Sequence, residues 1–170
     1  MVRLLSAYDR LIEAAAALAA AMLAASFIAI VCDVSLRTLN IEPPQWTSTM
    51  VEYAMFYSTM LAAPWLVRRR GHVYVQIGVD HLDARRRYLL ERAICVFCIA
   101  VSLVVAWYAV DVAWDAYVRG EQDIRTIALP RWLLFAVMPP AFILTAAEFL
   151  RILLLHEELH RNRGAETDRL

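Results

Sequence analysis

The chain has 170 residues, 61% of them hydrophobic, and its 17 basic residues balance its 17 acidic residues. Ordinary soluble domains are about 45–50% apolar, so this composition points to a membrane protein. Zero net charge excludes a general electrostatic attraction to nucleic acid. Three cysteines are too few for a disulfide framework. The Cys95–Cys98 pair lies in an apolar segment without a second ligand pair, so we interpret it as small apolar side chains rather than as a redox or metal site.

Four segments are long and apolar enough to cross a bilayer as helices, because about 20 apolar residues cover about 30 Å of hydrocarbon. Open strands would leave backbone groups unpaired in lipid. We therefore predict an all-α membrane protein with a single four-helix transmembrane domain over residues 1–170. The predicted spans are residues 11–34, 46–67, 93–112 and 132–155, followed by a polar cytoplasmic tail at 156–170.

The first predicted span contains a repeat of small residues at Ala17, Ala21 and Ala25. Four-residue spacing of small side chains lets membrane helices approach each other closely. We expect this face to pack either within the bundle or against another subunit. The span is too long to be the apolar core of a signal peptide, which has about 7–15 residues.

Glu52 is the unusual residue of the second predicted span. It lies six positions after Trp46, which is about 9 Å at 1.5 Å per residue. An ionisable group at that depth is costly and usually functional. Three interpretations stay open: a proton or cation site, a group that pairs with another polypeptide, and a side chain that reaches the outer interface.

Arginines follow the second span directly, at Arg68, Arg69 and Arg70. Such a run is typical of the cytoplasmic end of a membrane helix, where arginine meets water and anionic headgroups. His72 begins a segment, residues 72–82, whose apolar positions fit either a strand or one helix face. We expect it to lie along the cytoplasmic interface between the second and third spans. Arg85, Arg86 and Arg87 then anchor the start of the next helix.

The third and fourth spans contain further charged residues and prolines. Asp111, Asp115 and Arg119 follow a four-residue spacing that indicates a solvated face rather than a metal site, which needs more oxygen ligands. Glu148 lies near the inner end of the fourth span, where either snorkelling to the interface or Arg151, three positions later, would account for its charge. Pro130 suits the first turn of the fourth span. Prolines inside the second and fourth spans should bend them; these are Pro64, Pro139 and Pro140.

Charge placement predicts the topology. Thirteen arginines fall on the side of the two termini and of the connection after the second span, against four on the other side. The positive-inside rule therefore places both termini in the cytoplasm. Three tryptophans support this topology, because each lies at the span end that it places at the outer membrane interface, a depth that tryptophan rings favour. They are Trp46, Trp114 and Trp132.

No catalytic pattern is recognisable in the sequence. It contains no glycine-rich phosphate loop, nucleophile elbow or HExxH motif. No histidine lies in mid-membrane, where paired histidines would hold a haem. His156 and His160 have the spacing of metal ligands but no third ligand. We predict that the protein is not an enzyme and holds no cofactor or metal.

The order of these features resembles the small permease subunit, or DctQ-like subunit, of tripartite ATP-independent periplasmic (TRAP) transporters. The resemblance covers nearly the whole chain. Its most specific parts are an Arg-x-x-x-His-Val-x-Val motif, a Leu-Pro-x-Trp motif that opens the last span, and the acid of the second span. The matching residues are Arg68, His72, Val73, Val75, Leu129, Pro130, Trp132 and Glu52.

The resemblance implies a small membrane subunit in the bacterial inner membrane. It would be a scaffold and anchor for a large elevator-type permease, in sodium-coupled uptake of an organic acid. A periplasmic binding protein would deliver the substrate, and membrane lipids would surround the complex. Two alternatives are a stand-alone small multidrug-type exporter and a membrane anchor for a soluble partner. The exporter would have its acid in the first span and weak arginine asymmetry.

Overall fold

The computed structural model describes residues 2–69, 84–124 and 128–167. These residues form long helices and one small hairpin. In chain order the elements are α1 (Val2–Thr38), α2 (Trp46–Arg68), α3 (Ala84–Val118), β1 (Gln122–Ile124), β2 (Ala128–Pro130), α4 (Arg131–Ala136) and α5 (Met138–Thr167). The helices α1 and α3 extend well beyond the predicted spans, because hydropathy marks the part of a helix that suits lipid and not the residues where the helix ends.

Three stretches of the described chain are helical, long enough and apolar enough to cross a membrane: Ser6–Thr38, Arg92–Val118 and Arg131–Leu154. The helix α2 has 23 residues and is more polar, because serines, threonines, tyrosines and Glu52 interrupt its apolar sequence. The chain thus has the helices of a membrane protein. The crossing of α2, the total of four spans and the cytoplasmic location of both termini stay predictions.

The helices pack side by side in a row. Among the described elements, α1 packs along α2, α2 along α5, and α5 along α3, so that α1 and α3 are the ends of the row. The side of α1 that is buried repeats every seven residues at Ile12, Ala19 and Ser26, each at most 6% exposed. A seven-residue repeat keeps one seam in contact with a neighbouring helix over several turns, and it explains how α1 follows α2.

Small residues bring α3 and α5 together. The buried positions of α3 include Ser102, Ala106 and Ala109, and those of α5 include Ala141 and Thr145. The Thr145 hydroxyl donates to the Ala141 carbonyl at 2.8 Å, so this polar side chain is satisfied within its own helix. Close approach through small side chains is how membrane helices gain packing energy, since lipid tails are as apolar as leucine.

A short hairpin lies between α3 and α4, and the all-α prediction missed it. Its strands β1 and β2 are antiparallel, with Gln122 opposite Pro130, Asp123 opposite Leu129 and Ile124 opposite Ala128. Strands of three residues are too short to show the period of two that marks a strand in sequence.

Prolines shape the final helical stretch. Pro130 has the extended backbone conformation of an N-cap, and α4 ends before Val137. The helix resumes as α5 at Met138, and Pro139 and Pro140 occupy its first turn, where a missing N–H costs least. The helix α5 then continues to Thr167, through most of the predicted polar tail.

Candidate functional site

Four charged side chains from three helices meet at one end of the row. We name them the Arg68 cluster: Asp9 of α1, Arg68 of α2, and Glu148 and Arg151 of α5. Arg68 donates from Nη2 to Glu148 Oε1 at 2.7 Å and lies 2.9 Å from Asp9 Oδ1. Arg151 donates to the same Asp9 oxygen at 2.8 Å. Two positive and two negative charges therefore compensate one another across α1, α2 and α5.

Burial makes the Arg68 cluster more than a surface network. The Glu148 side chain is 1% exposed and that of Arg68 is 19% exposed. A buried carboxylate is tolerable only when it is paired and hydrogen-bonded, and both the Nε and Nη2 groups of Arg68 supply this. Arg68 directly follows the second predicted span. The hydrogen bond to Glu148 raises the pKa of the Arg68 guanidinium, and the partial burial of Arg68 opposes this rise. Its side chain therefore remains a cation.

An aromatic ring completes this end of the row. The guanidinium carbon of Arg68 lies 5.4 Å from the centre of the Tyr8 ring, a distance at which a cation is attracted to the face of an aromatic side chain. The Tyr8 hydroxyl is buried beside Glu148 without reaching good hydrogen-bond geometry. Arg68 is thus held by two carboxylates and one ring, all from helices other than its own.

Two tyrosine hydroxyls hold the first half of α2 against other elements. Tyr53 donates from its hydroxyl to Asp123 Oδ2 in the hairpin at 2.8 Å. Tyr57, one turn later on the same face, donates to the Leu133 carbonyl of α4 at 2.6 Å. The base of the hairpin is closed by an ion pair between Arg131 and Glu121 at 2.8 Å. The helix α2 is therefore tied to other elements by polar contacts in both of its halves.

An open apolar groove of about 320 Å³ lies where α3 meets α4 and α5. Its lining residues are Val110, Ala113, Trp114, Tyr117, Trp132 and Pro139. The Tyr117 and Trp132 rings are nearly perpendicular, with centroids 5.8 Å apart. Two of the predicted interface anchors, Trp114 and Trp132, thus come together here. The lining residues carry no formal charge.

The predicted site residues are spread along the structure. Glu52 is exposed on α2, and Trp46 at the start of that helix is 52% exposed. The guanidinium carbon of Arg69 lies 5.4 Å from the centre of the Trp65 ring. Ala17, Ala21 and Ala25 lie on the exposed side of α1, away from its buried seam. This alanine face therefore does not pack within the described part of the chain, and its contact with another subunit stays a prediction.

The predicted cytoplasmic motif is only partly within the described structure. Arg70 and His72 lie outside the described residues. Arg85, Arg86 and Arg87 are in the first turn of α3, and of their side chains the structure describes Arg86, which is exposed. Their role as anchors therefore stays a prediction. Within the described residues, no three His, Cys, Asp or Glu side chains come together in a way that could hold a metal ion.

The account of Glu148 from sequence was wrong. Arg151 is three positions away on the same helix, but it pairs with Asp9, and the partner of Glu148 is Arg68. Local spacing favours i, i+3 neighbours, whereas the packing of α2 on α5 decides this pair. The four-residue spacing on α3 brings Asp115 and Arg119 together: they pair at 2.8 Å and both are exposed, as the predicted solvated face requires. Sequence analysis did not identify Tyr8, Asp9, Tyr53, Tyr57 or Asp123 as contact residues.

Apolar helices with little buried surface define the class of this protein. In the most apolar windows of the three candidate spans, 11%, 17% and 22% of the residues are buried within the chain. Surfaces of this kind suit lipid or other membrane helices, so the chain is a multi-pass membrane protein.

Comparison with protein families gives the particular assignment. The family model for the DctQ component of tripartite ATP-independent periplasmic transporters matches residues 26–157. The chain belongs to this family, as the sequence motifs indicated, and is a small membrane component of a TRAP transporter. Among curated proteins, none matches the chain.

Proposed function

We propose that this chain is the fixed scaffold and anchor of a larger permease subunit. The complex takes up an organic acid that a periplasmic binding protein delivers, and a sodium gradient drives the uptake. A transporter of the elevator type needs one part that stays in place while another shifts across the bilayer. In this proposal the present chain enlarges the stationary part and transports nothing by itself.

The observation that carries the proposal is that polar contacts hold both halves of α2 against other elements. The Arg68 cluster joins α1, α2 and α5, and the hydroxyl groups of Tyr53 and Tyr57 hold the hairpin and α4. Removing one partner of a buried ion pair costs about 3–5 kcal/mol. Helices tied in this way resist sliding past one another, which is the property that a scaffold needs.

Interfacial side chains support the anchoring role. Arg69 is exposed next to Trp65, and Trp46 and Trp114 are exposed at the ends of α2 and α3. Moving an arginine toward the centre of the bilayer costs about 2.5–3.5 kcal/mol on insertion scales. Tryptophan rings favour the interface. Vertical displacement of this chain is therefore opposed at several points.

Reconstitution in vesicles tests the proposal. Vesicles would contain this chain, the large permease or both, with the binding protein outside and a sodium gradient across the membrane. We expect substrate uptake when both membrane subunits are present and none from this chain alone. Vesicles without a sodium gradient are the control. Uptake by this chain alone, or full uptake by the permease without it, would overturn the proposal.

A further inference from the structure

The apolar groove beside α3 lies at membrane depth. All of its lining residues belong to two of the candidate membrane spans, Arg92–Val118 and Arg131–Leu154. We name it the aromatic groove, because three of the six lining residues are aromatic: Trp114, Tyr117 and Trp132. The hydrocarbon region of a bilayer holds no water. An open groove at this depth is therefore filled by lipid chains or by another membrane helix.

The dimensions of the aromatic groove favour a lipid chain. Along α3 the lining extends from Val110 to Tyr117, which is about 10 Å at 1.5 Å per residue. A volume of about 320 Å³ over that length gives a width of about 6 Å, whereas a helix with its side chains is about 10–12 Å across. A membrane helix is thus too wide to enter the groove, and a single acyl chain is not.

An ion pair lies at the end of the groove that is next to the hairpin. Arg131 donates to Glu121 at 2.8 Å, and their side chains are 51% and 35% exposed. Arg131 directly precedes Trp132, and the Glu121 N–H donates to the carbonyl of Ala116, the residue before Tyr117. The rings of Trp132 and Tyr117 therefore lie between the apolar lining and the ion pair, as tryptophan and tyrosine do at a membrane interface.

The charges of this pair indicate the kind of headgroup. Arg131 supplies one cation and Glu121 one anion, and both keep exposed surface while they are paired. Guanidinium groups bind phosphate well, because their N–H groups match its oxygens. An ammonium group would in turn be attracted to the carboxylate. A zwitterionic headgroup carries both a phosphate and an ammonium, whereas an anionic headgroup would meet Glu121 as a like charge.

We propose that the aromatic groove binds one phospholipid with a zwitterionic headgroup, of the phosphatidylethanolamine type. One acyl chain lies in the groove against Val110, Ala113 and Pro139. The phosphate accepts hydrogen bonds from Arg131, and the ammonium donates to Glu121. This inference does not rest on the proposed function, because it concerns a lipid bound by this chain whether or not the large permease is present.

Lipid titration of the purified full chain tests the headgroup contacts. The chain would be stripped of lipid in detergent and titrated with phosphatidylethanolamine or phosphatidylglycerol of equal chain length, with bound lipids counted by native mass spectrometry. We expect phosphatidylethanolamine to bind more tightly, and Arg131→Gln to weaken its binding by about threefold to tenfold, the net effect of one hydrogen bond. The matched control is Arg119→Gln, which removes another exposed, paired arginine and should leave binding unchanged.

Filling the groove tests where the acyl chain lies. Ala113→Phe adds a ring to the lining, which should weaken phosphatidylethanolamine binding by about tenfold or more because the space is already occupied. Val112→Phe is the control: Val112 is exposed at the same depth and is not among the lining residues, since neighbouring residues of a helix point about 100° apart. Circular dichroism shows whether each variant keeps its helices.

A photo-cross-linking lipid gives a measurement on the unaltered chain. Phosphatidylethanolamine with a diazirine in one acyl chain would be irradiated with the protein, and the adducts located by peptide mass spectrometry. We expect adducts concentrated in residues 110–117 and 132–139. Adducts spread evenly along the exposed faces of α1, α3 and α5 would show ordinary surrounding lipid only and would overturn the proposal.

Two further outcomes would also contradict the proposal. Equal or tighter binding of phosphatidylglycerol would show that Glu121 and Arg131 do not select a zwitterionic headgroup. Loss of the groove adducts when the large permease co-purifies, with a permease cross-link from a photoreactive side chain at position 113, would show that a protein partner occupies the groove. Failure of the two subunits to co-purify would count against the proposed function alone, because the lipid measurements use this chain by itself.

Discussion

Arg68 lies 2.7 Å from Glu148, a residue 80 positions later in the chain. The contact joins the end of α2 to the middle of α5, and Asp9 brings α1 to the same arginine. Glu148 is nearly inaccessible, so its charge is compensated by this chain and not by solvent. The pair therefore links helices that are distant in the sequence, and it carries the interpretation of the chain as a rigid unit.

Removal of Arg68 should destabilise the fold more than loss of any exposed charge. We expect Arg68→Met to lower the free energy of unfolding by about 3–5 kcal/mol, because it leaves Glu148 buried without its partner. The double variant Arg68→Met with Glu148→Leu should recover part of this loss. Thermal unfolding in detergent, followed by circular dichroism, gives the comparison.

The matched control for this prediction is Arg119→Gln. Arg119 also pairs with a carboxylate, Asp115, but both side chains are more than half exposed. Exposed pairs contribute about 0–1 kcal/mol, so this variant should unfold close to the unaltered chain. Similar unfolding of Arg68→Met and Arg119→Gln would contradict a structural role for the Arg68 cluster.

Loss of the Tyr53 hydroxyl should loosen the hairpin. Its hydrogen bond to Asp123 is between a neutral donor and a carboxylate, and bonds to charged groups contribute about 1.5–3 kcal/mol. We expect Tyr53→Phe to raise hydrogen exchange at the amides of residues 122–124 by tenfold or more. Tyr108→Phe is the control, because Tyr108 is exposed on α3. Unchanged exchange in Tyr53→Phe would show that the hairpin is held by other contacts.

Reporter fusions test whether α2 crosses the membrane. The predicted topology has both termini in the cytoplasm and four spans, so a fusion after Asn40 should report the outer side and a fusion after Arg69 the cytoplasmic side. Alkaline phosphatase is active only outside the cytoplasm, and green fluorescent protein fluoresces only inside it. The same signal from both positions would mean that α2 does not span the membrane.

The Cys95 and Cys98 side chains should be dispensable. Both are half-buried within α3, and the sequence offers no second pair of ligands. We expect the double change to serine to leave co-purification with the large permease and substrate uptake by the reconstituted complex within about twofold of the unaltered chain, because serine is close to cysteine in size and also carries a hydrogen-bonding group. A loss of uptake that reducing agents reproduce in the unaltered chain would indicate a redox role instead.

Local patterns in the sequence were sufficient for some of these features and not for others. Hydropathy identifies three membrane helices, because burial in lipid needs only a continuous apolar surface. The Asp115–Arg119 pair follows from four-residue spacing on one helix. Family membership was predicted from the motifs around Arg68 and Trp132, and the family match confirms it.

The remaining features depend on which elements become neighbours. The Arg68–Glu148 pair could not be derived from spacing, because nothing in the two segments specifies that α2 packs against α5. Tyr53 and Tyr57 resemble any aromatic residues of a membrane helix until the hairpin and α4 are placed beside them. The hydropathy of α2 is intermediate because Glu52 and several hydroxyl-bearing residues interrupt its apolar sequence. The Tyr53 and Tyr57 hydroxyls bond the hairpin and α4, whereas those of Ser58 and Thr59 donate within α2.

The interruption between α4 and α5 has a consequence for how this chain can vary. Val137 directs its N–H to the Phe135 carbonyl, so the Leu133 carbonyl lacks the partner that a continuous helix would give it. The Tyr57 hydroxyl occupies that position from α2. The break after α4 and the Tyr57 hydroxyl are therefore coupled: in a continuous helix the Leu133 carbonyl would accept from Val137 within its own chain segment and would not need a donor from position 57.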